Sequence, residues 1–428
     1  MVGRLGQVAG LLLLAVVAVS GISAPAAAIR TRAHPEAEVK SDPDSVPVVM
    51  SARFAEQADR TRIVVELSDP VGARVFMLAN PDRVVVDMPE VLWRLGSADR
   101  PNGRGVVKSY RYGLFRPGNS RFVIDLRSPA KASDPVILPP QGGNGFRIVV
   151  DLLPTTQARF AAMSGWPADL RAREASAEQL AMTSPSLAAS AADAGRRVVV
   201  LDPGHGGIDA GASGVDGVIE KDLVLDEALR LRKILRKRGY SVHLTRDGDV
   251  YVPLAERVNM ARALHADLFV SLHADSNPDP DVYGASIYTL SAAGSDREAA
   301  ALARKENQSD VIAGVDLSGQ NTPVASILIG LAQRDTLNRS AQFAQSAVRQ
   351  LEHVTDILPR DPHRSAAFVV LKAPDIPAVL VELGYLSNPR DCSQMSTSAW
   401  RDRVASALAG AIDRQLRNTA GEAAQETE

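Results

Sequence analysis

The chain has 428 residues, with Lys+Arg 48 against Asp+Glu 50, a formal net charge of −2, and 45% hydrophobic residues. This balance suits two or three soluble globular domains; it excludes collagen-like, wholly disordered and multi-span membrane chains, and offers no basic field for nucleic acid. A single cysteine, Cys392, excludes an intramolecular disulfide and any CxxC metal or redox motif.

Residues 1–28 read as a secretory signal. Arg4 supplies a positive start, Ala9 to Val19 is an apolar run short for a membrane span, and Pro25-Ala26-Ala27-Ala28 is a small-residue cleavage pattern. An uncleaved anchor is the competing reading, opposed by Gly21 and Pro25. Export without a pair of cysteines suits a bacterial envelope protein, so the periplasm is the expected location. Residues 29–47 are polar and aperiodic, and a flexible segment is expected there.

Between residues 48 and 154 one pattern recurs four times: Arg, three β-branched or aromatic residues, an acid, then Leu or Met. The copies are Arg62-Ile63-Val64-Val65-Glu66-Leu67, Arg83-Val84-Val85-Val86-Asp87-Met88, Arg121-Phe122-Val123-Ile124-Asp125-Leu126 and Arg147-Ile148-Val149-Val150-Asp151-Leu152. Each is a strand-like run between turn formers. The pattern predicts a small all-β sandwich of two similar halves, each a meander, with no catalytic constellation. The segment resembles the AMIN domain, which implies a targeting module that recognises cell-wall glycan or directs a protein to the division site. Arg111 and Arg116, close to Tyr110, Tyr112 and Phe115, are the residues expected to meet a glycan, with ordinary surface placement as the alternative.

Residues 155–195 are rich in Ala and Ser and read as an interdomain linker with room for a short helix near 170–182. From Arg196 strand and helix alternate. Strands are expected at 198–201, 240–245, 267–273, 284–290, 367–371 and 378–383, and helices at 222–238, 253–264 and 327–354. This predicts an α/β catalytic domain over 196–417, a mixed sheet with helices on both faces, followed by a disordered tail at 418–428.

The chemistry-bearing residues fall at strand ends, where ligands gather in such sheets. His205 follows the first strand in Asp202-Pro203-Gly204-His205-Gly206-Gly207, His273 ends another, Glu382 ends a third, and Glu220 opens the first helix. Each alone is ordinary, since a histidine in a glycine loop is often a turn residue and an acid at a helix start is often a cap. Together they offer two imidazoles and two carboxylates, and two His with one carboxylate is a common zinc shell that leaves a position for water.

The segments Asp202 to Gly207, Gly217 to Leu223, Thr245-Arg246, Ser271 to Asp275 and Val381 to Asn388 closely resemble the zinc-dependent N-acetylmuramoyl-L-alanine amidases of the bacterial cell wall. The resemblance implies that His205, Glu220 and His273 ligate one Zn²⁺, that Glu382 is the catalytic acid/base, and that the substrate is peptidoglycan, cut between N-acetylmuramic acid and L-alanine. An insertion of about 35 residues precedes the helix at 327, and a helix is expected at 296–310. Leu302 to Asn307 resembles the regulatory helix of the division-associated members, in which a glutamate fills the open zinc position. Glu306 is the candidate and Glu298 the second, against an ordinary solvated glutamate. The resemblance implies a LytM-type activator that displaces the helix, docking in part on Val311, Ile312 and Val315, and a role at the division septum.

Two competing readings stand beside this one: a catalytically silent wall-binding protein, and a zinc peptidase acting within the stem peptide. The basic residues of 230–238 read as the wet face of a helix. His243, His265, His353 and His363 read as structural or surface groups, and Cys392 carries no assigned role.

Overall fold

The structure, a computed structural model, describes residues 46–95, 103–170, 196–215, 217–315 and 332–425. The expected signal and most of the flexible segment and linker, including nearly all of the helix expected near 170–182, lie outside these residues.

The front part is built from ten strands: β1 (Val48–Glu56), β2 (Thr61–Leu67), β3 (Arg74–Leu78), β4 (Arg83–Pro89), β5 (Leu92–Trp93), β6 (Val107–Arg116), β7 (Asn119–Leu126), β8 (Ala130–Ala132), β9 (Val136–Leu138) and β10 (Phe146–Pro154). They form a six-stranded sheet, in the order β5-β1-β2-β10-β8 with β9 also on β10, and a four-stranded sheet β3-β4-β7-β6. Alternate residues such as Ile63, Val65, Val84, Val86, Phe122, Ile124, Ile148 and Val150 fill the space between the sheets.

The two halves interlock instead of forming separate meanders. The first repeat (β2) pairs with the fourth (β10), and the second (β4) with the third (β7). This antiparallel register puts Arg62 opposite Asp151, Arg147 opposite Glu66, Arg83 opposite Asp125 and Asp87 opposite Arg121. The repeated Arg and acid are therefore cross-strand partners. Arg62 Nε bonds Asp151 at 2.7 Å, and the buried Arg121 Nε bonds Asp87 at 2.8 Å.

The start of the expected linker is part of the sandwich. Helix α1 (Gln157–Met163), capped by Thr156, buries Phe160 in the sandwich core, and Trp166 packs edge-on against Phe76. Two large aromatic side chains with apolar sites to fill outweigh the tether-like composition around them.

The second part has β11 (Val198–Pro203), α2 (Glu220–Lys237), β12 (Ser241–Leu244), α3 (Leu254–Ala263), β13 (Leu268–His273), β14 (Ser286–Leu290), α4 (Arg297–Glu306), α5 (Ser309–Ile312), α6 (Ala332–Leu351), β15 (His363–Ala366), β16 (Ala378–Glu382), α7 (Pro389–Met395) and α8 (Ser398–Gln425). Its sheet runs β12-β11-β13-β16-β14-β15. The first four strands are parallel, and β14 runs against β16. One apolar cluster packs α2, α6 and α8 on one face, and another packs α3 and α4 on the other.

Three expectations change here. The strand expected at 367–371 lies earlier, at β15, while Val369–Leu371 is a 3-10 turn that tucks Val370 and Leu371 into the core; a short apolar run does not distinguish the two. The tail is helical as far as Gln425. The insertion helix breaks at Asn307, whose side chain donates to Ala367 O and accepts from Val369 N, giving α4 and α5.

The sandwich rests directly on the segment after α4. Phe76, Phe115, Val123 and Trp166 share an apolar cluster with Ile208, Tyr251 and Ala313. Arg83 donates to Val311 O, Arg111 to Ile312 O, and Arg121 to Gly314 O at 3.1 Å. Arg111 is thus committed to this contact and to Asp125, not to a glycan, while Tyr110 and Tyr112 stack among Phe54, Trp93 and Phe122. Val315, expected on an activator-docking surface, packs against the sandwich cluster instead.

Candidate metal centre

Strand β11 delivers the chain to Gly204 and then to His205, which adopts a left-handed φ of 58°. Two buried arginines hold that bend. Arg246 donates to Pro203 O and Gly204 O at 3.0 and 2.8 Å, and Arg257 donates to His205 O at 2.8 Å and to Asp202 at 2.8 Å. Gly204 is required by space, because a Cβ there would sit 2.4 Å from the His273 ring. Gly211, at φ +67°, lies under Glu220 and His205, where a Cβ would come within 2.6 Å of Glu220 Oε2.

Glu220, the first residue of α2, accepts hydrogen bonds from Ala212 N and Ala274 N, both at 2.8 Å. His273 ends β13 and stands opposite Glu382, the last residue of β16. The parallel sheet therefore brings His205, His273 and Glu382 to one edge, with Glu220 above them.

The ligating atoms of His205, Glu220 and His273 all lie within 4.8 Å of one another, and all three residues are buried. His205 Nε2 is 3.1 Å from Glu220 Oε1 but makes no hydrogen bond. His273 Nδ1 lies 3.2 Å from the same Glu220 Oε1, within hydrogen-bond distance. Glu306, the last residue of α4, brings Oε2 to 3.4 Å from His205 Nε2 and 3.2 Å from His273 Nδ1, while its Oε1 has no hydrogen-bond partner. Glu382 accepts from Asp275 N at 3.0 Å through Oε2, and its buried Oε1 has no partner. Two imidazole nitrogens and a carboxylate oxygen this close together, with His205 Nε2, Glu306 Oε1 and Glu382 Oε1 buried and without hydrogen-bond partners, fit a divalent cation of the zinc type.

The buried charges of the site act strongly on one another. Burial opposes ionisation of Glu220, yet His205 and His273 hold its carboxyl well below the usual range. Burial likewise opposes charge on His205, but Glu220, Asp209 and Glu306 raise it well above the usual imidazole value. Burial pushes the Glu382 carboxyl well up, and the charges of Glu220 and Glu306 add to the rise.

The sequence matches the N-acetylmuramoyl-L-alanine amidase family over residues 199–414 and the AMIN domain over residues 51–139. It is 34% identical over 383 residues to the N-acetylmuramoyl-L-alanine amidase AmiC of Neisseria meningitidis serogroup B, a match covering 86% of this chain and 90% of that one. The chain belongs to the N-acetylmuramoyl-L-alanine amidases. The AmiC amidase of Escherichia coli O6:H1 is also 34% identical, over 386 residues, covering 86% of this chain and 89% of its own. The AmiA amidase of Escherichia coli K12 is 41% identical over 219 residues, covering 51% of this chain and 75% of its own. The AMIN match stops at residue 139, whereas in this amidase β10 and α1 complete the same sandwich.

Of the four residues singled out at strand and helix ends, His205, Glu220 and His273 come together, with Glu306 against both histidines, and Glu382 stands opposite His273 on the neighbouring strand; Glu298 turns to Arg364 on β15. Glu306 continues the buried stripe of Ala299, Leu302 and Ala303, so the helix period itself marks it as inward-facing. Sequence reading missed Asp209, which pairs with His205 Nδ1 at 2.9 Å and also accepts from Ser309 Oγ. Its signal was an acid four residues after the loop histidine. The reading also missed Lys305, which pairs with Asp275 beside Glu382.

Proposed function

We propose that this amidase is an exported zinc enzyme that hydrolyses the amide between the lactyl group of N-acetylmuramic acid and L-alanine of peptidoglycan, and that α4 holds it inactive until a partner lifts the helix away. The observation that carries the reading is the carboxylate of Glu306, seated against both histidines of the His205–Glu220–His273 set. His205, Glu220 and His273 would hold the zinc. The bound ion would supply Lewis acidity, polarising the scissile carbonyl and lowering the pKa of water.

The protein's own groups do the rest. Glu220 is fixed by two backbone N–H groups, and Asp209 orients His205, so the donor set is organised in advance. Glu382, held by Asp275 N, takes the proton of the attacking water and passes it to the departing amine. Glu306 lies against both histidines, and burial, Glu220 and then Glu306 favour the protonated form of Glu382, the wrong form for a base. A LytM-type activator, periplasmic location and action in daughter-cell separation belong to this proposal; among the described residues no helix is long and apolar enough to cross a membrane.

The test is mass spectrometry of products released from purified sacculi by the zinc-loaded full chain and by its Glu306→Ala variant. Stem peptides beginning with L-alanine, released faster by the variant, are expected. Cuts between amino acids of the stem would establish the peptidase. Equal rates would dismiss Glu306 as the inhibitor, and bound zinc with no product from either chain would favour the silent wall-binding protein.

A further inference from the structure

Glu298 lies on the same helix as Glu306 but serves another cation. Its Oε2 is 3.0 Å from Arg364 Nη1, and Asp296 at the helix cap is 3.6 Å from Arg364 Nε. The Arg364 side chain is only 10% exposed. It lines a groove of about 810 Å³ together with Tyr288, Tyr385, Asp275 and Lys305. Asp275 ties this groove to the reaction centre, because the same residue holds Glu382 through its backbone N–H.

The acids that neutralise Arg364 both come from α4 and its cap, whereas Arg364 sits on the framework strand β15. If α4 leaves, as proposed above, the Arg364 guanidinium stays on β15 in the groove, without its two carboxylates and without the cover that α4 gives it. A guanidinium that has lost its carboxylates is open to another, and the two groups match each other in shape as well as charge. The substrate proposed above brings carboxylates of its own. In a stem peptide the second residue, D-glutamate, is joined through its side-chain carboxyl and keeps its α-carboxylate free; the third, where it is diaminopimelate, carries another. Glu306 lies eight positions along the helix from Glu298, about 12 Å of rise. That is roughly the reach of three to four extended peptide residues.

We infer that Arg364 is a specificity-determining residue that binds a free carboxylate of the stem peptide within its first three residues, and that α4 mimics the substrate at two points, Glu306 at the metal side and Glu298 at Arg364. This inference rests on the amidase reading and on the release of α4. It gives Glu298 a role that the metal centre does not.

The test uses the zinc-loaded full chain carrying Glu306→Ala, alone and combined with Arg364→Gln or Arg364→Lys. Substrates are muramoyl tripeptides with D-glutamate or D-isoglutamine at the second position, and with diaminopimelate or lysine at the third. Arg364→Gln is expected to raise KM about 10- to 100-fold for the substrate with the recognised carboxylate, leave kcat within about twofold, and spare the analogue lacking it. Arg364→Lys should recover part of the loss. Whichever analogue is insensitive identifies the residue bound. Unchanged KM, or an equal loss on every substrate with a lowered melting temperature, overturns the inference. Calorimetric binding of the free tripeptide to the same proteins gives a readout apart from turnover. Absence of cleavage by every variant would fail the amidase reading, while tripeptide affinity indifferent to Arg364→Gln would fail this one.

Discussion

Asp209 accepts from His205 Nδ1 at 2.9 Å and thereby leaves Nε2 to face the site. The imidazole charge and hydrogen bond hold its carboxyl at about 2, against the opposing effect of complete burial. Asp209→Ala should therefore weaken zinc binding by about 10- to 100-fold with the fold retained, as read by competition with a chromophoric chelator. Glu382→Gln should keep the metal and lower turnover by about 10²- to 10⁴-fold; a rate close to the parent's would take Glu382 out of the mechanism. At this scale the sequence was legible wherever a residue sits inside a contiguous motif at a strand end. Arg246 stood in one of the matched segments, but its hold on the carbonyls of Pro203 and Gly204 was not legible, nor was that of Arg257, which reaches the carbonyl of His205 from α3. Nothing in the local sequence of Arg257 distinguishes it from the many surface arginines.

Elements of the sandwich are held in register by charge as well as by packing. The hydrogen bond from Arg62, helped by Arg60 and opposed by burial, draws the Asp151 carboxyl from 3.8 to about 2. A carboxylate whose folded pKa is depressed adds stability above its unfolded pKa near 4 and loses that contribution as pH falls toward 2. Arg60 and Arg62 are about a third exposed, at 31% and 40%, so solvent screening reduces the effect. Asp151→Asn should cost about 1 kcal/mol in urea unfolding at pH 7, and the difference should shrink steadily between pH 4 and 2. The repeat made the strands and their Arg–acid periodicity visible. The partner of each strand was not visible, since four similar strands satisfy the same local pattern in more than one pairing order, and only closing the sandwich selects first with fourth and second with third.

Across the whole molecule the sandwich bears on the segment that follows the helix carrying Glu306. Arg83, Arg111 and Arg121 take the carbonyls of Val311, Ile312 and Gly314, and Asp310 receives the Tyr251 hydroxyl at 2.6 Å in the same buried contact. Replacing the three arginines by alanine should loosen residues 309–315, seen as faster hydrogen exchange there, and should raise turnover without an activator; unchanged exchange would show that the apolar cluster alone holds the segment. The sequence by itself determined most of the strands and helices and the placing of His205, Glu220, His273 and Glu382 at or just beyond their ends, because alternation and motif spacing are local properties of the chain. The sequence ranked Glu306 ahead of Glu298, and tertiary structure decided what each of them meets. Glu298 and Glu306 are the same residue type on one helix, about 80° apart around its axis. Their difference comes from what lies opposite each, two imidazoles for one and Arg364 for the other. It decided as well that residues 311–315 belong to an interface with the sandwich, since that surface is assembled from strands nearly two hundred residues away in sequence.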